Sequence, residues 1–148
     1  MYVSKMREVD VKPEMEVYNL VMFTDVKAVI EKGLVDKHYY INLVLEMRYQ
    51  GTCEATPKIL SILYDFLPDD AFFNCTAVSP AKLPITTMAM IMGDCVRVGL
   101  EDNIYYSKRN LANNAKLVAR AVRIARELGK EQVIPDEARK ILSLKGWK

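Results

Sequence analysis

The octapeptide Cys95-Val96-Arg97-Val98-Gly99-Leu100-Glu101-Asp102 sets strand-forming residues beside groups that can do chemistry. Side chains alternate along a strand, so Cys95, Arg97, Gly99 and Glu101 share one face while Val96, Val98 and Leu100 share the other. Glu14, Glu16 and Tyr18 share a face of an earlier segment in the same way. Ions on the inner faces of apolar parallel strands cost several kcal/mol each unless paired. Such a cost is accepted where reactions occur, at the C-terminal ends of strands, and Glu101 with Asp102 lies at such an end. Two arrangements satisfy these residues. In one, Arg97 binds or orients a carboxylate, Glu101 ligates a metal and Asp102 acts as a base. In the other, Arg97 belongs to an internal ion-pair network with Glu14 or Glu16. Structural ion pairs and active sites draw on the same residue types, and both arrangements stay open.

Other reactive residue types have plainer readings. His38 is the single histidine; it precedes a strand, at the end away from the expected site, and reads as a surface residue. Cys75 and Cys95 read as small core residues. The stripe Lys116, Arg120, Arg123 and Arg126 reads as a solvated outer helix face, with an anion or coenzyme contact as the alternative. Met88, Met90 and Met92 read as packing material.

The elements that must position these groups alternate between two periodicities. Val11–Asn19 has the period of a strand, with Pro13 near its start. A helix follows, with Thr24 as its N-cap and Gly33 just past its end. Tyr39–Met47 is nearly continuous in apolarity, as a strand buried on both faces should be. Thr56 caps the next helix, Pro57 opens it, and Ile59, Leu60, Leu63 and Phe66 mark its buried side. Phe72–Val78 is a third strand, Leu83–Gly93 a third helix and Cys95–Leu100 a fourth strand. The most regular helix lies between Asn110 and Gly129, with Leu117, Val118, Ala121, Val122, Ala125 and Leu128 in one apolar stripe. A short helix opening at Pro135 and Asp136 ends the chain. The pattern is α/β, (βα)4 plus a C-terminal helix in a single domain spanning 1–148, and it fits either a small open sheet or half of an eight-stranded barrel.

Composition narrows the function classes. With 148 residues, 51% hydrophobic and 27% charged, the chain can bury one core. A net charge of +2 offers no global field for nucleic acid or a membrane surface, and neither is expected as a partner. The longest apolar runs fall short of the roughly 18–20 residues of a spanning helix. Residues 1–14 lack the apolar core of a secretory signal. Three widely spaced cysteines, Cys53, Cys75 and Cys95, argue against a disulfide framework and for a reducing, cytoplasmic setting.

In order along the chain, "VKPEMEVYN", "ATP", "LPITTMAMIMG", "VRVGLEDNIYYSK", "LANNAKLV", "RIARELGKE" and "PDEARKIL" resemble the C-terminal half of the β-keto acid cleavage enzymes. "VRVGLEDN" is the most specific of these segments. The resemblance implies a TIM barrel of which this chain supplies strands five to eight. It also implies a zinc-dependent exchange of a β-keto acid with acetyl-CoA, giving acetoacetate and a new CoA ester. Carried over residue by residue, it makes Glu101 a metal ligand and Arg97 with Asp102 the catalytic dyad. Glu14 or Glu16, with Glu14 preferred, reaches the substrate pocket. The family's two metal-binding histidines, an H-x-H pair, have no counterpart here. Glu46, Arg48, Ser79, Cys95 and Asn19 also stand where the family carries other residues. Zinc is therefore expected only if a complementary N-terminal half-barrel chain completes the site, with acetyl-CoA as co-substrate. The alternatives are a metal-free homo-oligomer without catalysis, or a chain that is a piece of a longer enzyme.

Overall fold

The computed structural model describes residues 2–93, 95–101 and 103–144. Three strands, β1 (Glu14–Val17), β2 (Tyr39–Leu45) and β3 (Ala71–Ala77), form a parallel sheet in the order β1-β2-β3. Helices α2 (Met22–Glu31), α3 (Pro57–Asp65) and α4 (Lys82–Met92) follow the three strands in turn. Parallel neighbours require such crossovers. Val17, Ile41, Leu43, Leu45, Phe73, Cys75 and Ala77 bury one sheet face against Phe23 and Val26 of α2, Leu60 and Leu63 of α3, and Ile85 and Ala89 of α4.

Local chemistry sets the helix boundaries. Thr56 accepts the Ile59 amide at 3.3 Å and Pro57 stands at the first turn of α3, as the sequence indicates. Gly33, at φ +61°, follows the C-cap of α2 in the left-handed region. Thr24 does not cap α2. It lies inside the helix and donates its hydroxyl to the Val21 carbonyl at 2.7 Å. Asn19 takes the initiating role, because its Oδ1 accepts the Val21 amide at 3.1 Å, several residues before Thr24 can act. Phe66 is also misread from sequence alone: it sits at the C-cap of α3 and is 56% exposed, with its ring 6.1 Å from that of Phe23.

Cys95–Leu100, expected as the fourth strand, forms no strand ladder and turns at Leu100. One backbone bond joins it to the sheet, from the Arg97 amide to the Cys75 carbonyl at 3.4 Å. Side chains take other polar groups of this stretch. Lys82 Nζ donates to the Gly99 carbonyl, and the Leu100 amide donates to Asn114 Oδ1 at 3.0 Å. Backbone groups held in this way are not offered to a neighbouring strand.

Three further elements lack a counterpart in the sequence pattern. α1 (Tyr2–Glu8) buries none of its residues, so no apolar face announces it. Arg7 docks it through the Gly33 carbonyl. β4 (Tyr105–Ser107) and β5 (Asn110–Leu111) pair antiparallel across a turn containing Arg109 at φ +63°. The long helix, α5 (Asn114–Glu127), therefore begins only after this hairpin, where Asn113 accepts the Lys116 amide at 2.8 Å. α6 (Pro135–Ile141) opens as expected at Pro135, with Glu137 accepting the Ile134 amide at 3.0 Å. Among the described residues, no helix is long and apolar enough to cross a membrane.

Candidate functional site

The register of the sheet sorts its second face into rows. Glu14, Tyr40 and Phe72 lie level, then Glu16, Asn42 and Asn74, then Val44 and Thr76. This face is as polar as the helix-covered face is apolar. Between it and the helices α5 and α6 lies a cavity of about 1080 Å³, bordered by Glu14, Tyr40, Asn74, Cys95 and Arg97. The α5 stripe faces the same space through Val118, Ala121, Val122 and Ala125. Only Leu117 of that stripe is fully packed, and Val118 stays 50% exposed.

Arg97 brings the two ends of this face together. Its guanidinium lies 2.5 Å from Glu101 Oε2 and 3.8 Å from Glu16 Oε1. Glu16 belongs to β1, whereas Arg97 follows β3, about three strand spacings of 4.8 Å away in a flat sheet. The Arg97 and Glu16 side chains reach toward one another over the polar face to close this gap, and a parallel sheet with its crossover helices on one side curls away from them, so the polar face is the concave one. Glu16 also accepts the Tyr18 hydroxyl at 3.0 Å, and that bond raises the phenol pKa above its usual value.

The ion-pair arrangement is thus formed, with Glu16 as the partner of Arg97 and Glu14 one row away beside Tyr40. The expected burial penalty is small in this chain, because Arg97, Glu16 and Glu101 keep 35%, 43% and 78% of their side-chain surface exposed. Tyr40 feels the more enclosed part of the cavity. Burial first, then Cys95 and Glu14, pushes its phenol up to about 12 against the opposing pull of Arg97. Asp102 lies outside the described residues.

Several site residues went unnoticed in the sequence. Asn42, Asn74 and Thr76 are buried on the concave face, where Thr76 donates to Asn42 Oδ1 at 3.0 Å. Among the described residues, Asn42 Nδ2 and Asn74 Oδ1 find no hydrogen-bond partner. The signal was present as polar residues at alternate positions within the apolar strands Tyr39–Leu45 and Ala71–Ala77. Lys82 is 2% exposed and holds the turn that carries Glu101 through the Gly99 carbonyl. Glu46 does not enter the site: its carboxylate accepts the Ala55 amide at 3.0 Å and closes the loop after β2. Asn19 ties that loop down through the Gly51 carbonyl at 3.0 Å. His38 is exposed before β2, its ring 5.9 Å from that of Phe72, at the end of the strands opposite Glu101.

A catalytic zinc takes three protein ligands and keeps one position open. Among the described residues, no three histidine, cysteine, aspartate or glutamate side chains converge to hold a metal ion. Glu101 offers one carboxylate, and Arg97 already neutralises it. The donor set of this chain does not fit zinc unaided.

A parallel sheet with following helices, carrying its ionisable groups where the strands end, is an α/β architecture consistent with half of a TIM barrel. Residues 1–144 match the sequence profile of the beta-keto acid cleavage enzymes, and the chain belongs to that family. It is 37% identical to a 3-keto-5-aminohexanoate cleavage enzyme of Fusobacterium nucleatum over 136 residues, covering 91% of this chain and 48% of that protein. The enzyme of the same name from Acetoanaerobium sticklandii is 37% identical over 135 residues, covering 90% and 49%. The 3-dehydrocarnitine:acetyl-CoA trimethylamine transferase of Rhizobium meliloti is 29% identical over 140 residues, covering 95% and 46%. The chain thus spans about half the length of these relatives.

Proposed function

We propose that this chain is the C-terminal half of a β-keto acid cleavage enzyme, with β1, β2, β3 and Cys95–Leu100 in the places of barrel strands five to eight. On this reading a complementary chain carrying the two histidines completes the barrel. The pair then exchanges a β-keto acid with acetyl-CoA, releasing acetoacetate and a new CoA ester. The observation that carries the proposal is the position of Arg97 between Glu16 and Glu101 on the concave face. A guanidinium held between carboxylates is arranged for the fork-like binding of a substrate carboxylate. Arg97 would take the carboxylate of the β-keto acid, and Glu101 would be this chain's one ligand to a zinc ion, held otherwise by the partner, that would polarise the keto group. Glu14 and Glu16 border the substrate, and Asp102 is the base of the dyad that the family resemblance assigns it with Arg97. Three widely spaced cysteines, Cys53, Cys75 and Cys95, suit a cytoplasmic setting.

The open concave face favours a second reading, in which two copies of this chain cover one another without metal or catalysis. Native mass spectrometry of the protein isolated from its own cells, with metals retained, separates the two. A heteromer with one zinc per unlike pair, forming acetoacetate from acetyl-CoA and a β-keto acid, is the expected result. A metal-free homo-oligomer that forms no acetoacetate would overturn the proposal in favour of the second reading.

A further inference from the structure

Six basic residues that the reaction leaves unused are gathered in one segment. Residues 103–126 contain Lys108, Arg109, Lys116, Arg120, Arg123 and Arg126 and no acid, although the whole chain carries only +2. The remainder of the protein is therefore net acidic.

Two elements focus this charge. The guanidinium of Arg120 lies 4.3 Å from the Tyr106 ring centroid, and its Nη1 donates to the Tyr106 carbonyl at 2.6 Å. Arg123 foremost, with Arg120 and Lys116 nearby, holds the Tyr106 phenol below its usual pKa. Among the described residues, no carboxylate lies within ion-pair distance of Lys116, Arg120 or Arg123. By contrast Lys5, Arg7, Lys37, Arg97 and Arg139 each have one.

This arrangement costs the free protein stability. Lys116, Arg120 and Arg123 follow the i, i+4, i+7 spacing of one helix face, where like charges repel. Lys116 also stands in the first turn of α5, which contains no acid, although the helix dipole disfavours cations there. A bound anion relieves both effects.

The cluster is also tied to the reaction centre. The Leu100 amide donates to Asn114 Oδ1, which fixes the turn carrying Glu101 to the first residue of α5. From Asn114 to Arg123 the helix rises about 14 Å. A ligand with a reactive group at one end and phosphates at the other end of a long flexible arm fits that separation.

We propose that the β4–β5 hairpin and the first half of α5 bind the phosphate groups of a coenzyme A thioester, with Lys116, Arg120 and Arg123 as the anion contacts and Tyr106 as their platform. The choice of coenzyme A rests on the acyl-exchange reading above; the anion contacts rest on the cluster itself.

Calorimetric titration of the full chain with coenzyme A, dephospho-coenzyme A and inorganic pyrophosphate tests this, using the wild type and a Lys116→Gln/Arg123→Gln variant. Both substituted residues are exposed, and circular dichroism of the variant checks that its fold is kept. The expected result is coenzyme A binding that is strongest of the three ligands, falls steeply with salt, and weakens by roughly 30-fold in the variant, about 2 kcal/mol for the two lost charge-assisted contacts together. Equal binding by variant and wild type, absence of coenzyme A binding to the wild type, or pyrophosphate binding as tightly as coenzyme A would each overturn the proposal. Binding is read without turnover, so a chain that binds coenzyme A but forms no acetoacetate with any partner sinks the enzymatic reading alone.

Discussion

Arg97 Nη2 lies 2.5 Å from Glu101 Oε2, four residues further along the chain, where the segment turns. The contact neutralises the one carboxylate that the family resemblance assigns to metal. Because Glu101 keeps 78% of its side-chain surface in solvent and Arg97 keeps 35%, the pair stabilises the fold by about 1 kcal/mol or less. Arg97→Met is therefore expected to leave the urea midpoint almost unchanged. In an assembled enzyme the same change lowers turnover by roughly a hundredfold or more, since a preorganised charge contact is lost. Arg97→Lys keeps the charge but not the fork, so it recovers little of the rate. Paired denaturation and acetoacetate assays check both halves. A large stability loss in Arg97→Met with an unchanged rate would give Arg97 a purely structural role.

The buried hydrogen bond from Thr76 to Asn42 lends itself to a double-mutant cycle. Thr76→Val strips Asn42 of its acceptor contact in a site where Asn42 Nδ2 already lacks a partner. The expected cost is about 1–3 kcal/mol. Adding Asn42→Leu removes the stranded polar group, so the double variant should be more stable than the sum of the single effects predicts. Additive urea midpoints would show that the two side chains act independently.

Alkaline pH should unfold the protein by a defined route. Burial raises the Cys75 thiol from 9.0 to about 12, and burial raises Tyr40 from 10.0 to about 12. The native state holds these protons after the unfolded chain has released them. Their contribution to stability is complete below the unfolded thiol value and is lost as pH rises from there toward 12. Denaturation midpoints measured from about pH 8 to about pH 10.5 should fall, with the earliest part of the fall missing in Cys75→Ala. Native Cys75 should also resist thiol reagents until the protein unfolds. A midpoint independent of pH across that range would exclude this route.

The helices and the three laddered strands were legible because their signals are local. Pro57 after Thr56 marks a helix start whatever surrounds it, and Tyr39–Leu45 is apolar enough to require cover on the helix side. The site was legible in residue type but not in pairing. The sequence places Glu14 and Glu16 on one face of β1, and only the curvature of the sheet decides that Glu16 is the one to meet Arg97. Asn42 escapes the sequence because a strand as continuously apolar as Tyr39–Met47 implies two dry faces, and Asn74 and Thr76 are single polar residues in an apolar run. The polar patch they form emerges only when the register sets Asn42 beside Asn74, with Thr76 one row further on.

By itself, the order of residues determined the alternation of strands and helices, the basic run after residue 103, the single histidine, and hence the shortage of metal ligands. Each follows from composition or from periodicities of two and 3.6 residues, which need no distant contact. Tertiary structure alone decided that Asn19 rather than Thr24 starts α2, and that Cys95–Leu100 stays off the ladder while Lys82 and Asn114 hold its backbone. It also decided that Tyr106 meets Arg120 and Arg123. Except for the start of α2, these outcomes join groups more than ten residues apart, and side-chain competition for the same backbone atoms has no periodic trace in a sequence.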